Sequence, residues 1–225
     1  MMNRNTVVII RSNGINPDPR VEKEAMFLAK TYDVKILAWD RKKEMNKIEK
    51  RNGYIISRCH LKGHYGSGIK NIFYIILWMV YEFFWLLGHH FDIIHACDLD
   101  TYLPAFIVAK IKKKKIIYDI FDFYADMLIG IPSIFKKIIK KIDLFIIQFA
   151  NGVIIADENR IKQIAGSCPK KLIAIYNTPF DFLDIYKDNN QKNLNKSKFI
   201  LGYIGLLQKE RGFDYLLNVI KDIQE

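Results

Sequence analysis

Residues 91–120, FDIIHACDLDTYLPAFIVAKIKKKKIIYDI, contain one full repeat of the architecture. Ile93–Ala96 is short and apolar between polar neighbours, the mark of a buried strand. A loop follows, and a helix is expected from about Thr101, with Asp100 as N-cap and Pro104 still in the first turn, where its missing N–H is harmless. After Lys110 and the run Lys112–Lys115 comes a second β-rich stretch, IIYDI at 116–120. Strand, helix, strand in this order calls for two parallel strands with the helix on one face of the sheet.

The same alternation extends both ways. Upstream, Thr6–Arg11 is β-branched and leads through SNGINPDPR to a helix that Asp18 caps, with Val21, Ala25, Leu28, Ala29 and Tyr32 on one apolar face. Val34–Ala38 and Tyr54–Arg58 read as further strands, with the charged DRKKEMNKIEKRNG between them. Downstream, FDFYADMLIGIP precedes an amphipathic helix over Ser133–Phe149, then come GVIIA, an Asp157-capped ENRIKQIA and KLIAIY. Such alternation predicts an α/β fold with a doubly wound, Rossmann-like parallel sheet covered on both faces.

Ile69–Gly88 is the most apolar segment of the chain, and Ser133–Phe149 is a long amphipathic helix. Ile69–Gly88, IKNIFYIILWMVYEFFWLLG, approaches the roughly twenty residues of a membrane span, but Glu82 lies deep within it and Lys70 shortens it. Asn71, Tyr74, Trp78, Tyr81, Glu82 and Trp85 share one side, and Ile72, Ile75, Ile76, Met79, Phe83 and Leu86 the other. Packing on the sheet is one reading; a Tyr and Trp side meeting a membrane interface is the other. In Ser133–Phe149, Ile134, Phe135, Ile138, Ile139, Ile142, Phe145, Ile146 and Phe149 form one stripe opposite Lys136, Lys137, Lys140 and Lys141. The expected membrane or partner face is Tyr74, Trp78, Trp85 and these four lysines.

Half of the 225 residues are apolar, so a full core is expected. The net charge of +11 reads either as lysines scattered over solvated faces or as attraction to an anionic partner, and the clustering of Lys110 with Lys112–Lys115 and of Lys136, Lys137, Lys140 and Lys141 favours the second. Cys59, Cys97 and Cys168 are scattered without C-x-x-C spacing, which argues against a disulfide framework or zinc site and for a reducing cytoplasm. MMNRNTVVIIRSNG lacks a signal-peptide pattern. The expected location is cytoplasmic, peripheral on the inner face of the cell membrane. FDFLDIYKDNNQKNLNKSK at 180–198 is nearly devoid of apolar residues from Asp188 on, and reads as a linker. The expected division is a domain over 1–180, a linker over 181–198, and one strand and helix of a second domain over 199–225.

In a doubly wound sheet the ligand crevice lies beyond the carboxyl ends of the strands. This selects SNGINPDPR, CDLD, FDFYAD and NTP. Asn13 and Gly14 are also ordinary turn residues, and Asp18 and Asp100 ordinary caps. Asp119, Asp122 and Asp126, three carboxylates at and beyond the end of a buried strand, point to binding.

The ordered set PDPRVEKEAMFLAKTYDVKILAWDR, FDIIHACDLDTYLPA, IIYDIFDFYAD, ANGVIIADENRIKQI, KLIAIYNTP and LGYIGLLQKERGFDYLL resembles family 4 glycosyltransferases of the two-Rossmann-domain GT-B fold. The resemblance implies a first domain that carries the acceptor and a second that holds a nucleotide-activated sugar, with transfer in the cleft, retention at the anomeric carbon and no obligatory metal or other cofactor. It places Asn13, Gly14 and Gly205 at the donor, where glycine admits close backbone approach to phosphate. Asp98, Asp100, Asp119 and Asp122 would line the acceptor, a glycan or lipid-linked molecule. No catalytic residue carries over, because Phe121 stands where relatives often have histidine. The family's donor domain is much longer than the residues after the linker, so a truncated second domain is expected. Three accounts stay open: a truncated gene, a donor domain on a separate chain, or a non-catalytic remnant serving as a membrane- or partner-binding module.

Other classes fit less well. No helix-turn-helix or zinc spacing supports nucleic-acid binding. G-x-G-x-x-G is absent after the first strand, against a nicotinamide cofactor. His60 and His64 flank Gly63 in what reads as a loop, His95 reads as a satisfied strand residue, and no metal is expected.

Overall fold

The computed structural model describes residues 4–64, 69–128, 131–178, 202–204 and 212–224. The linker expected over 181–198 and Gly205 lie outside the described residues. The chain divides into two compact units, Met1–Pro179 and Phe180–Glu225.

The first unit is built on an eight-stranded sheet. In chain order its strands are β1 (Thr6–Arg11), β2 (Asp33–Trp39), β3 (Ile48–Arg51), β4 (Tyr54–Cys59), β5 (Ile93–Cys97), β6 (Lys115–Ile120), β7 (Gly152–Ile155) and β8 (Leu172–Ala174). Their spatial order is β3-β4-β2-β1-β5-β6-β7-β8, and every pairing is parallel except β3 with β4. The chain winds outward in one direction from β1 and in the other from β5, so the switch between them opens the crevice. The doubly wound sheet expected from the sequence is therefore present. β3 was not anticipated: IEKR is charged, and as an edge strand it needs no apolar face.

The helices are α1 (Pro19–Leu28), α2 (Ile69–Gly88), α3 (Leu99–Lys112), α4 (Tyr124–Met127) and α5 (Ser133–Ile147), with a 3-10 helix at Glu158–Ile164. Asp18 caps α1 through Val21 N–H at 3.2 Å, as its place before Pro19 implies. α3 begins earlier than expected, at Leu99 with Asp98 in the cap position. The turn out of β5 puts Asp98 at φ 67, and its carboxylate is committed elsewhere, so the helix starts without a side-chain cap.

Strand alternation divides the core in two. Val7, Ile9, Val34 and Ile36 pack under α1, whereas Val8, Ile10, Leu37, Ile94, Tyr118 and Ile120 pack under α2, α3 and α5. On that second side Trp39 and Trp78 stack at 5.6 Å between centroids, and Tyr102 and Tyr118 at 4.2 Å. This corrects the expectation for Trp78: it is fully buried and belongs to the core, not to an outer face. Trp85 is half-buried and stacks on His89 at 3.9 Å, and Tyr74 is half-buried beside His64.

The second unit is described over 202–204, which are irregular, and helix α6 (Phe213–Gln224). The strand expected to follow the linker falls largely outside the described residues; of it only 202–204 are described, and they carry no regular structure.

Candidate functional site

The carboxyl ends of β1, β5 and β6 and the N-terminus of α1 meet in one charged cluster. Arg11 ends β1, and its Nε lies 3.1 Å from Asp18 Oδ2 while its Nη1 donates to Asp98 Oδ2. Asp98 Oδ1 in turn accepts from Phe121 N–H at 2.9 Å and Asp122 N–H at 3.4 Å. The positive φ of Asp98 is costly for a non-glycine residue, and these bonds hold it there. The guanidinium groups of Arg11 and Arg20 both lie over the Phe121 ring, 4.2 and 4.5 Å from its centroid.

Arg20 reaches inward from the first turn of α1. Its Nη2 donates to Asp119 Oδ1 at 2.7 Å, its Nη1 to Ile175 carbonyl at 3.0 Å, and its Nε lies 3.2 Å from Glu24 Oε1. The second oxygen of Asp119 meets His95 Nε2 at 3.0 Å. Burial raises Glu24 to about 7, helped by Asp119 and opposed by His95 and Arg20. Burial alone would lower His95, but the bond to Asp119 and the charge of Glu24 outweigh it and raise its pKa. His95, Cys97 and Asp119 offer ligand atoms within 4.8 Å of one another. Both Asp119 oxygens are already engaged by Arg20 and His95, so the trio is an ion-pair network locking α1 to β5 and β6.

The loop after β1 is braced from two sides. Asn13 Nδ2 donates to Asp18 Oδ2 at 2.7 Å, and Asn13 Oδ1 accepts from Ile15 N–H at 2.9 Å. Arg58, fully buried on β4, donates from Nε to Gly14 carbonyl at 2.8 Å and from Nη1 to Asn46 carbonyl at 2.9 Å. Gly14 sits beneath Met45: a Cβ there would lie 2.1 Å from Met45 Cε, so even alanine needs that side chain to swing aside. Ile15 is β-branched, fully buried and held at φ 53, a strained conformation of the kind found where loops have a task beyond connection.

Of the four carboxylates assigned to an acceptor, the structure brings Asp98 and Asp100 together at the start of α3. Burial raises Asp98 to about 6 against the pull of Arg11. Asp100 is also raised by burial, opposed by a hydrogen bond from Ser12 and the charges of Arg11 and Arg41, and its Oδ1 is buried without a hydrogen bond. Asp122 is exposed and pairs with Arg160 Nη1 at 3.0 Å. Asp119 points the other way, fully buried on the α1 side, and cannot meet a ligand at the crevice while that network holds. Asp126 is exposed and accepts from Gln163. Arg11, Arg20 and Arg58 were the residues that sequence reasoning missed. Arg20 and Glu24 stand one helical turn apart, which gave a signal for the pair; the partners of Arg11 and Arg58 lie too far along the chain to be read.

Sucrose-phosphate synthase from Thermosynechococcus elongatus has the same fold in two solved structures. One superposes with a TM-score of 0.57 over 80% of this chain and 92% of that one, at 11% identity. The other gives 0.55 over 77% of this chain and 48% of that one, also at 11% identity. These likenesses show the fold, a Rossmann-like domain of the GT-B type. In sequence, the chain is similar to an uncharacterised 41.2 kDa protein in the cps region of Klebsiella pneumoniae, 29% identical over 172 residues; the match covers 69% of this chain and 44% of that protein. No family model matches the chain.

Proposed function

We propose that the chain is the acceptor-binding half of a nucleotide-sugar-dependent glycosyltransferase of family 4, transferring a sugar to a glycan or lipid-linked acceptor with a donor-binding half supplied outside the described residues. The observation that carries this reading is the braced cluster at the switch between β1 and β5. There Asp98 and Asp100 stand at the start of a 14-residue helix with Arg11 across from them and a strained, anchored loop alongside. Both oxygens of Asp98 are engaged, by Arg11 and by the Phe121 and Asp122 N–H groups, so Asp98 holds the cluster in place. Asp100, whose Oδ1 has no hydrogen bond, is the carboxylate left to accept from a sugar hydroxyl, with Arg11 beside it for a phosphate or carboxylate on the acceptor. Asn13 and Gly14 flank the same crevice, at the place the family resemblance gives to donor phosphates. The cps-region relative is consistent with a substrate among surface polysaccharides.

The test is deletion of the gene in its native cell, with mass spectrometry of lipid-linked and surface glycans. Loss of one sugar from one glycan, restored by the wild-type gene, is the expected result. Asp100→Asn should restore it at least about tenfold less well, since a hydrogen bond to a charged group is worth about 1.5–3 kcal/mol. Unchanged glycans in the deletion strain reject the reading and leave the non-catalytic binding module.

A further inference from the structure

We propose that the outer surface of α2, α3 and α5 docks on an anionic lipid bilayer. The three helices lie side by side on one face of the sheet. α3 sits in the middle: Lys112 Nζ donates to Leu86 and His89 carbonyls of the α2 end, each at 2.8 Å, and Tyr102 Oη donates to Ile146 carbonyl of α5 at 3.4 Å. The Phe106 and Phe149 rings close the same seam, 5.6 Å apart.

The outer helices carry their polarity reversed. A helix on a sheet normally turns its apolar stripe inward. α2 instead buries Glu82 beside Trp78 and Leu86, and exposes Phe73, Ile76, Val80 and Phe84 in one stripe, with Phe73 at 62% and Phe84 at 65%. α5 buries Asp143 with Ile146 and Ile147, and exposes Ile134, Ile138, Ile142 and Phe145, the last at 61%. Between them α3 presents Ile107 and Ile111. Exposed apolar stripes on three adjacent helices form an interaction surface, not scattered residues.

Charge selects the occupant. Each of the three helices has one acidic residue, Glu82, Asp100 and Asp143, and all three are buried. The outward side is therefore apolar and cationic, with Lys110 and Lys113 at the end of α3 and Lys137, Lys140 and Lys141 along α5, all exposed. A bilayer with anionic headgroups matches both features, since apolar side chains enter the acyl boundary while lysines meet the headgroups. α2 is long and apolar enough to cross a membrane, its window Asn71–Gly88 having mean hydropathy 1.5. Its inner side is locked into the core through Trp78 and Leu86, so the helix lies in the interface instead of spanning it. The surface differs from the one the sequence suggested: Trp78 is inside, and the phenylalanines and isoleucines are outside.

Vesicle flotation of the full chain tests this, with phosphatidylcholine alone against phosphatidylcholine mixed with phosphatidylglycerol. Flotation is expected only with the anionic vesicles, and should weaken as salt rises. Lys137→Glu with Lys141→Glu should lower the partition coefficient about tenfold or more, because each lysine near an anionic surface contributes about 1 kcal/mol. Phe84→Ser with Phe145→Ser should lower it at least as much, with circular dichroism unchanged because both positions are exposed. Lys50→Glu, an exposed charge change on the distant edge strand, should have no effect. Absence of flotation, or flotation that neither pair of changes weakens, overturns the proposal. So does a dimer in sedimentation equilibrium that Phe84→Ser dissociates while no vesicles bind, since a second copy would then cover the surface. The outcome is independent of sugar transfer: vesicle binding with unchanged glycans upholds this surface while rejecting the enzyme reading.

Discussion

The two faces of the sheet solve the same burial problem in opposite ways. On one, α1 covers β1, β2 and β4 and is pinned by charge, Arg20 and Glu24 reaching into Asp119 and His95. Beyond α1, Ile117, Ile154 and Ile173 of β6, β7 and β8 line an open cavity of about 1340 Å³ that no helix among the described residues covers. The other face is roofed by three helices and held by aromatic stacking, yet the roof presents apolar stripes to the outside. Among the described residues one face is covered only in part, and the other has a cover that itself exposes apolar surface. The first face thus adds buried ion pairs to its apolar packing, whereas the second relies on packed apolar and aromatic area.

Breaking the charge lock should have one of the largest effects. Arg20→Ala leaves Asp119 buried without its cation and should cost about 3–5 kcal/mol in urea unfolding. Trp78→Ala, which opens the stack on Trp39, should cost a similar amount, about 3–5 kcal/mol, whereas Phe84→Ala on the same helix should cost less than about 1 kcal/mol. If the two α2 changes are equal, the assignment of its inner and outer sides is wrong.

Acidity sharpens the contrast. Glu24 at about 7 on one face and Asp143 at about 6 on the other both lie above the range of an unfolded carboxyl, chiefly through burial. The folded chain thus holds these protons more tightly than the unfolded chain. Their contribution to stability is complete below about pH 4 and is lost as pH rises through 6 and 7. The urea midpoint should fall between pH 5 and 8. Asp143→Asn keeps an oxygen for the Tyr118 hydroxyl, which donates to Asp143 Oδ1 at 2.7 Å, and removes the charge from an Oδ2 that has no hydrogen bond. It should flatten the slope near pH 6 and raise the midpoint at pH 8; a lowered midpoint at pH 8 would show that the buried charge is needed.

The smallest effect belongs to the strands that line the cavity. Ile173→Thr on β8, where the side chain is 57% exposed, should change stability by no more than about 0.5 kcal/mol. A larger loss measured in the full chain would reveal a cover over that face.

Most of the strands and their parallel order were legible, because short β-branched runs alternated with helical periodicity and caps. Periodicity locates a stripe but not the direction it faces. In α5 the expected stripe is split: with Asp143 docked on Tyr118, Ile146 is buried and Ile139 and Phe149 half-buried, whereas Ile134, Phe135, Ile138, Ile142 and Phe145 are exposed. The carboxylates of the crevice were legible as a group, since they follow strand ends. Which of them faced the crevice was not: Asp119 turns inward because Arg20, 99 residues earlier, awaits it there. The start of α3 moved from Asp100 to Asp98 because a left-handed turn left β5 directly into helix.

The sheet's two margins also differ in their defence against unwanted pairing. β3 runs antiparallel and is charged over its last three residues, Glu49 to Arg51, with Glu49 bound to Arg51 and Arg58 and Arg51 to Glu22, so another strand approaching there meets fixed charges. β8 is three residues long and carries Leu172 and Ile173. Its brevity is its main protection, because a guest strand gains few backbone bonds. Self-association in a crowded cell should therefore start at the β8 margin, and a lysine at position 173 would guard that margin much as charge already guards β3.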